Sequence, residues 1–277
     1  MPNRVVDNES DLVPFGEPAH RDSRPTGSGL PPDAPRVFPG ATSVSELRIY
    51  DSVASDGLAG GTPHLHTVSS EAYLVIAGRG RLQTIDGSGF AEHSLTPGSL
   101  VWFDPGVIHR AVNVSGLEVR VIMQNAGLPE AGDAIMTFPD DVLADPERYR
   151  AAAELPGAEH SETERLAAAF ARRDLAVRGF RALFGADGAV DPAGLARLYE
   201  RAVALAAPHT TEWRNRWRVG ALAAVNDTAR RLDALEHLCD PGLADARVAS
   251  VPKEAALGMC GHLRRYDTQP PVRTRTS

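Results

Sequence analysis

Two histidines and a glutamate lie within eight residues of one another in the segment "HLHTVSSE". The histidines are His64 and His66, and the glutamate is Glu71. Side chains alternate between the two faces of a β-strand, so His64 and His66 point the same way. If Glu71 begins the next strand, a short turn returns its carboxylate to the same face. Two imidazoles and a carboxylate that converge with open positions form the facial arrangement used for non-haem iron and similar divalent metals.

A third histidine, His109, follows the Pro105-Gly106 turn. We expect it to begin a further strand, and in a closed barrel it reaches the other three side chains. Four ligands leave about two positions of an octahedral metal free for water, substrate or dioxygen. The sequence therefore predicts a metal centre of His64, His66, Glu71 and His109. The alternative is that these are ordinary polar residues on a half-exposed strand.

The elements that must position these side chains divide the chain into two patterns. Between residues 36 and 139, short apolar segments alternate with turn residues, which is typical of an all-β sandwich or barrel. From about residue 140 the pattern is helical, with a capping-box pair at Ser161 and Glu164. We therefore predict a mainly β chain with a helical C-terminal extension.

The predicted organisation has four parts. Composition rich in Pro, Gly, Ser and charged residues indicates a disordered arm over residues 1–35. The barrel covers residues 36–139, the helical region covers 140–265, and a flexible polar tail covers 266–277. We expect the helices to cover part of the barrel and to bury six apolar residues: Leu166, Phe170, Leu195, Leu198, Val225 and Leu232.

The spacing of the histidine-rich segment resembles the first motif of the cupin superfamily, H-x-H-x(3,4)-E-x(6)-G. The second motif, G-x(5)-P-x-G-x(2)-H-x(3)-N, is matched except that Asp104 stands where the family usually has proline. The matching positions are His64, His66, Glu71, Gly78, Gly98, Gly106, His109 and Asn113. The resemblance covers about 100 residues and implies a double-stranded β-helix, or jelly-roll barrel, with the metal inside.

The resemblance implies a mononuclear metal-dependent enzyme that acts on a small organic metabolite. A dioxygenase or related oxidoreductase with Fe(II) is the first hypothesis, with Mn, Ni or Zn as alternative metals. A metal-dependent isomerase, epimerase or lyase is the close alternative, because the ligand set does not separate these reactions. A non-catalytic cupin that binds or senses a small ligand is the alternative from a different class.

Strand alternation also predicts the walls of a substrate pocket. Tyr73 and Val75 share the parity of Glu71 and should face the interior, where Glu71 and Tyr73 are the candidate catalytic residues. Val121 and Met123 should also point inward, giving a largely apolar wall suited to a small organic substrate. Gln83 is a candidate anchor for an acidic group.

The two cysteines, Cys239 and Cys260, lie outside the predicted barrel. We therefore expect no thiol in the barrel and no cysteine–tyrosine crosslink of the kind found in some thiol dioxygenases. Cys239 and Cys260 also belong to a mirrored pair of segments, with His237 and His262, that could bind zinc. Their spacing matches no common zinc finger, so this zinc site is the weaker hypothesis.

Composition excludes several other classes. The 277 residues carry a formal net charge of −7, which argues against a general nucleic-acid binder. The start of the chain has no apolar segment of an export signal, and no stretch is apolar enough to span a bilayer. We expect a cytoplasmic protein with a small-molecule substrate and no membrane or nucleic-acid partner. We also expect a homodimer, since two-fold dimers are the commonest closed assembly.

Overall fold

The computed structural model describes residues 37–266 and residue 268. The arm predicted for residues 1–35, and the tail predicted for 266–277 apart from residues 266 and 268, lie outside the described residues. In the described part, nine antiparallel strands run in this order: β1 Ser43–Ile49, β2 His64–His66, β3 Glu71–Asp86, β4 Gly89–Leu95, β5 Leu100–Phe103, β6 Ile108–Met123, β7 Ala134–Met136, β8 Lys253–Leu257 and β9 Gly261–Tyr266.

Six α-helices stand between β7 and β8: α1 Asp140–Leu143, α2 Pro146–Ala153, α3 Glu162–Arg181, α4 Pro192–Ala206, α5 Thr210–Trp217 and α6 Ala223–Glu236. A π-helical turn, Arg218–Leu222, joins α5 to α6. The predicted capping box begins α3, because the Ser161 hydroxyl accepts from the Glu164 N–H and the Glu164 carboxylate accepts from the Ser161 N–H. None of the helices that the structure describes is long and apolar enough to cross a membrane.

Two long strands, β3 and β6, pair along their whole length and carry the jelly roll. Irregularities between Val75 and Gly80 bend β3, so its two halves belong to different sheets. The first half pairs with β5, and the facing half of β6 pairs with β1, which continues to β9 and β8. The second half pairs with β4, and β6 there pairs with β2 and then β7. This arrangement confirms the predicted cupin-type jelly roll.

The two larger hydrophobic cores of the described residues follow from the alternation of side chains. One fills the barrel and includes Leu47, Tyr73, Leu82 and Val119. The other lies on the outer face of the sheet that holds β2, where Leu65 packs with residues of α1, α3 and α4 such as Phe180. His64 and His66 therefore point inward while Leu65, between them, anchors β2 to the helical layer.

The structure corrects the sequence expectations at the C-terminal end. Residues 253–265, predicted as part of the helical region, and residue 266, predicted to begin the tail, instead form the hairpin of β8 and β9, and β9 pairs with β1. This strand pairing joins segments more than 200 residues apart, so no local pattern indicates it. Leu195 and Leu198 are buried as expected, whereas Leu166 and Phe170 are half-buried. The expectation was wrong for Val225 and Leu232, which are 64% and 57% exposed. Both lie on α6, and this helix has no buried residue.

Candidate metal centre

Four buried side chains converge inside the barrel at the positions that the sequence predicts. His64 and His66 come from β2, Glu71 begins β3, and His109 lies at the start of β6, paired with His64 across the two strands. One ligand atom from each lies within 4.8 Å of every other. Within the described residues, no other group of three or more His, Cys, Asp or Glu side chains converges in this way.

The weaker zinc hypothesis does not fit this geometry. Cys239 is exposed after α6, whereas Cys260 is buried in the barrel. These two thiols, with His237 and His262, therefore form no ligand set in the part of the chain that the structure describes.

The shortest distances join the nitrogen and oxygen atoms that would bind the metal. Nε2 of His109 lies 3.1 Å from Nε2 of His64 and 3.1 Å from Oε2 of Glu71. Nε2 of His66 also lies 3.1 Å from that carboxylate oxygen. Adjacent ligands of an octahedral ion with bonds of about 2.1 Å stand about 3.0 Å apart, so these edges fit a bound divalent cation.

Contacts on the far side of each imidazole direct the Nε2 atoms inward. His64 Nδ1 donates to the Thr62 carbonyl at 2.8 Å, and His109 Nδ1 donates to the Val107 carbonyl at 3.1 Å. Because these Nδ1 atoms carry the proton, the Nε2 atoms present lone pairs. Lone pairs that face one another and a carboxylate repel unless a cation lies between them, so the donor set fits a metal ion.

The third imidazole has a carboxylate behind it instead of a carbonyl. His66 Nδ1 lies 3.6 Å from Oδ2 of Asp133, which is fully buried. Asp133 stands just before β7, and its other oxygen accepts from the backbone N–H groups of Thr67 and Val68, both at 2.8 Å. This fixed carboxylate orients the imidazole as outer partners of metal-binding histidines do.

Burial and neighbouring charges set the protonation of the cluster. Burial and the imidazoles of His109 and His66 lower the pKa of His64 well below its ordinary value. Burial opposes ionisation of Glu71, but His109 and His66 outweigh it and hold the pKa of that carboxyl well below its usual range. Burial likewise opposes a charge on His66, yet Asp133 and Glu71 raise its pKa to about 9.

A cavity of about 870 Å³ opens from this cluster towards α2, α3 and the turn between β8 and β9. Three of the five predicted pocket residues, Tyr73, Val121 and Met123, are among its lining residues. The other two are not: Val75 packs deeper in the barrel core, and Gln83 lies on the opposite strand face, where Nε2 donates to Glu92. Strand alternation explains the position of Gln83: its neighbour Leu82 faces the barrel interior, so the Gln83 side chain faces the other side of the strand.

Three residues of this region were not predicted from the sequence. Cys260 is buried beside Tyr73 and lines the cavity, so the expectation of a barrel without a thiol was wrong. Phe103 packs against the His109 ring in a tilted arrangement, with a ring-centroid distance of 4.2 Å and an interplanar angle of 37°. Arg172, from α3, also lines the cavity. Cys260 and Arg172 come from outside the predicted barrel, so no motif spacing could indicate them.

Comparison with known families supports the geometry. Residues 55–124, which include all four converging side chains, match the family model of the cupin domain. This part of the chain therefore belongs to the cupin superfamily. No curated protein matches the chain.

Solved structures match the chain over a limited length. One is an uncharacterized conserved protein with a double-stranded β-helix domain from Klebsiella pneumoniae, at 17% identity and a TM-score of 0.24, covering 30% of this chain and 64% of that one. Another is a putative sugar phosphate isomerase from Acidithiobacillus ferrooxidans, at 24% identity and a TM-score of 0.24, covering 30% and 49%. A third is Streptomyces PAC13 with uridine, at 14% identity and a TM-score of 0.23, covering 30% and 58%. The aligned part is less than two thirds of each relative, and these TM-scores carry no inference about function.

Proposed function

We propose that this protein is a mononuclear metal-dependent cupin enzyme, an Fe(II) dioxygenase or related oxidoreductase acting on a small organic metabolite. The observation that carries the proposal is the cluster of three inward-facing Nε2 atoms around the buried Glu71 carboxylate. A bound iron would supply Lewis acidity and one-electron redox chemistry at its open positions. Mn, Ni or Zn would suit the same nitrogen and oxygen donors.

The chain's own residues hold and enclose that centre. Glu71 provides the negative charge that offsets the cation, and the imidazoles complete the ligand set. Tyr73 is fully buried next to it, and its hydroxyl has no hydrogen-bond partner in the described structure. We infer that this hydroxyl donates to a substrate oxygen, while Phe103 keeps water from the face of His109.

The composition of the cavity favours oxidoreductase chemistry over isomerase, epimerase or lyase chemistry. Those reactions usually need a general base beside the substrate, most often an imidazole or a carboxylate. In the described part of the chain, the buried titratable side chains that line the cavity, apart from the metal ligands, are Tyr73, Arg172 and Cys260. None of them is an imidazole or a carboxylate, and the other such groups that line the cavity, Glu130, Glu154 and His209, are exposed.

Metal analysis and dioxygen consumption test this function. We expect stoichiometric iron in protein loaded anaerobically with Fe(II), and substrate-dependent oxygen uptake with a panel of small organic acids, alcohols and amines. The Glu71→Gln and His109→Ala variants should lose metal, and turnover should fall by orders of magnitude. Glu118→Gln is the matched control, because it removes a carboxylate outside the cavity.

Two outcomes would contradict parts of the proposal. Full metal content and turnover in both Glu71→Gln and His109→Ala would exclude the metal centre. Stoichiometric metal and ligand binding without turnover on any compound would favour a non-catalytic, ligand-sensing cupin.

We further propose a homodimer. Two surfaces expose large apolar side chains that a second copy could cover: Leu100 and Trp102 on β5, and Val225 and Leu232 on α6. Light scattering over a wide concentration range should give twice the 29.6 kDa chain mass. A constant mass near that of one chain would contradict the dimer.

We also propose a cytoplasmic location. Cys239 and Cys260 are both free thiols, which suits a reducing compartment. Cell fractionation should find the protein with cytoplasmic markers, and recovery with exported proteins would contradict this location.

A further inference from the structure

Three arginines are buried in the described part of the chain, and one of them lacks an acidic partner. Arg110 forms an ion pair with Asp56, and Arg173 forms one with Asp174. Arg172 is 9% exposed, and no carboxylate of the described residues lies within 4 Å of it. A buried cation without a counter-charge is costly, so a ligand that supplies the negative charge would be favoured at this position.

The hydrogen bonds of Arg172 leave donors unused. Nη1 donates to the Ala153 carbonyl at 2.9 Å, and Nη2 donates to the Gly258 carbonyl at 3.1 Å. Nε is buried and has no acceptor in the described structure. A guanidinium carries five N–H groups in a planar fork, so these two backbone contacts fix its plane and leave N–H groups free for an oxyanion.

Of the three buried arginines, Arg172 is the one that lines the cavity beside the metal centre. The Gly258 carbonyl that holds it begins the turn that leads to Cys260. The Cys260 thiol and Nδ1 of His64 both reach the Thr62 carbonyl, at 3.9 and 2.8 Å. The segment 258–260 therefore contacts the Arg172 guanidinium at one end and, at the other, the Thr62 carbonyl that holds the metal ligand His64.

The other charged groups around the cavity do not compete with Arg172. Glu71 is the only other buried Asp, Glu, Lys or Arg side chain among the described lining residues, and it belongs to the metal centre. The remaining charged lining residues are exposed and of mixed sign: Glu130, Arg150, Glu154 and Arg265. The inner lining between the two centres is otherwise mainly apolar, with Leu47, Val121, Met123 and Ile135.

We propose that Arg172 binds the carboxylate of an organic acid whose apolar body occupies the cavity. This assignment of a substrate class rests on the proposed function, in which the other end of that acid lies at the metal centre. A single buried cation matches the single charge of a carboxylate. A phosphate dianion would need a second cation, and the inner cavity offers no other arginine or lysine in the described part of the chain.

Calorimetric titration with matched acids and amides tests this proposal. The probes are the straight-chain acids from propanoate to octanoate, each compared with its uncharged primary amide. We expect at least one acid to bind metal-free and Zn(II)-loaded protein about tenfold or more tightly than its amide. Arg172→Gln should abolish this preference, and Arg172→Lys should retain part of it, because an ammonium keeps the charge but not the fork.

Arg150→Gln is the matched control, since it removes an exposed cation at the mouth of the same cavity. We expect this variant to keep the preference for acids. Circular dichroism and thermal unfolding check that each variant is folded. In wild-type protein, without any substitution, the acids should raise the midpoint of thermal unfolding and the amides should not.

The proposal is overturned if no acid binds in preference to its amide, or if folded Arg172→Gln keeps the preference. Tighter binding of methyl phosphate than of every acid would overturn the carboxylate class. If Arg172→Gln does not fold, the Arg172→Lys titration and the shifts in the unfolding midpoint of wild-type protein test the proposal instead. Acid binding to metal-free protein would support the Arg172 subsite even if metal loading fails. Metal-loaded, oxygen-consuming protein that prefers amides would contradict the Arg172 subsite but not the proposed function.

Discussion

At the residue scale, the metal centre depends on groups that do not touch the metal. Each histidine is held through Nδ1, two by backbone carbonyls and His66 by the carboxylate of Asp133. A carbonyl can only accept a hydrogen bond, so it fixes the tautomer that leaves Nε2 free. Oδ2 of Asp133 lies 3.6 Å from Nδ1 of His66, beyond hydrogen-bond distance, and acts on that imidazole through its negative charge.

Asp133→Asn should therefore weaken metal binding while leaving the barrel folded. An asparagine of the same shape can place its NH₂ against Nδ1, which favours the imidazole tautomer whose Nε2 carries the proton and cannot bind a metal. We expect an affinity loss of about 10–100-fold, measured by competition with a coloured chelator. Asp141→Asn, which changes an exposed carboxylate on α1, is the control. Equal metal affinity in Asp133→Asn and wild-type protein would refute the orienting role.

The two thiols should differ sharply in reactivity. Burial raises the pKa of the Cys260 thiol to about 12, whereas Cys239 is exposed. The thiolate is the nucleophile that attacks a disulfide reagent, so a neutral buried thiol reacts slowly at pH 8. A colorimetric disulfide reagent should therefore titrate one thiol in native protein and two after unfolding in guanidinium. Rapid reaction of both thiols in the native protein would contradict the burial of Cys260 beside Tyr73.

At the element scale, the bend of β3 allows one strand to serve both sheets. Gly78 lies in this bend with a φ of +73°, and a Cβ there would come within 2.1 Å of the Gly116 carbonyl oxygen. Glycine is needed both for the left-handed backbone and for the close approach of β6. In this chain Gly78 therefore serves the bend of β3 and does not contact the metal ligands.

Gly78→Ala should destabilise the barrel. Backbone strain alone costs about 1–3 kcal/mol, and the collision with β6 adds to it. Gly87→Ala in the hairpin between β3 and β4 is the matched control, because a Cβ there meets nothing within 4 Å. Denaturant unfolding should show a lower free energy of unfolding for Gly78→Ala and little change for Gly87→Ala. Equal stability of the two variants would count against this account of the bend.

How far the sequence predicts this structure depends on how local each interaction is. His64, His66, Glu71 and His109 could be predicted because short strands and tight turns place them at fixed spacings. The pairing of β9 with β1 could not, because it depends on hydrophobic and backbone contacts across more than 200 residues of chain. Cys260 reaches the cavity through that pairing, so it was missed with it.

At the scale of the whole molecule, the helical layer and the barrel share one core. Leu65 of β2, Ile85 of β3 and Ile108 of β6 pack outward against α3 and α4, where Phe180 and Leu198 are buried. The strands β2 and β6, which carry His64, His66 and His109, are thus held from the opposite face by the helices. The same layer provides Arg172, so helices outside the family motif complete the cavity.

Removal of the Phe180 ring tests whether this shared core supports the metal centre. Phe180 is 4% exposed and packs edge-on with Phe184 at a ring-centroid distance of 5.6 Å. Phe180→Ala should lower the free energy of unfolding by about 3–5 kcal/mol, because it leaves a cavity under β2. Leu232→Ala on exposed α6 should change it by less than about 0.5 kcal/mol.

The metal affinity of Phe180→Ala shows whether the helical layer positions the metal ligands or only stabilises the barrel. If the helices hold β2 in place, folded Phe180→Ala should also bind metal more weakly than wild-type protein in the same chelator competition, because looser strands place His64 and His66 less accurately. Leu232→Ala should bind as wild type. A Phe180→Ala protein that is destabilised but keeps full metal affinity would show that the barrel alone positions the ligands, and that the helices contribute stability without shaping the site.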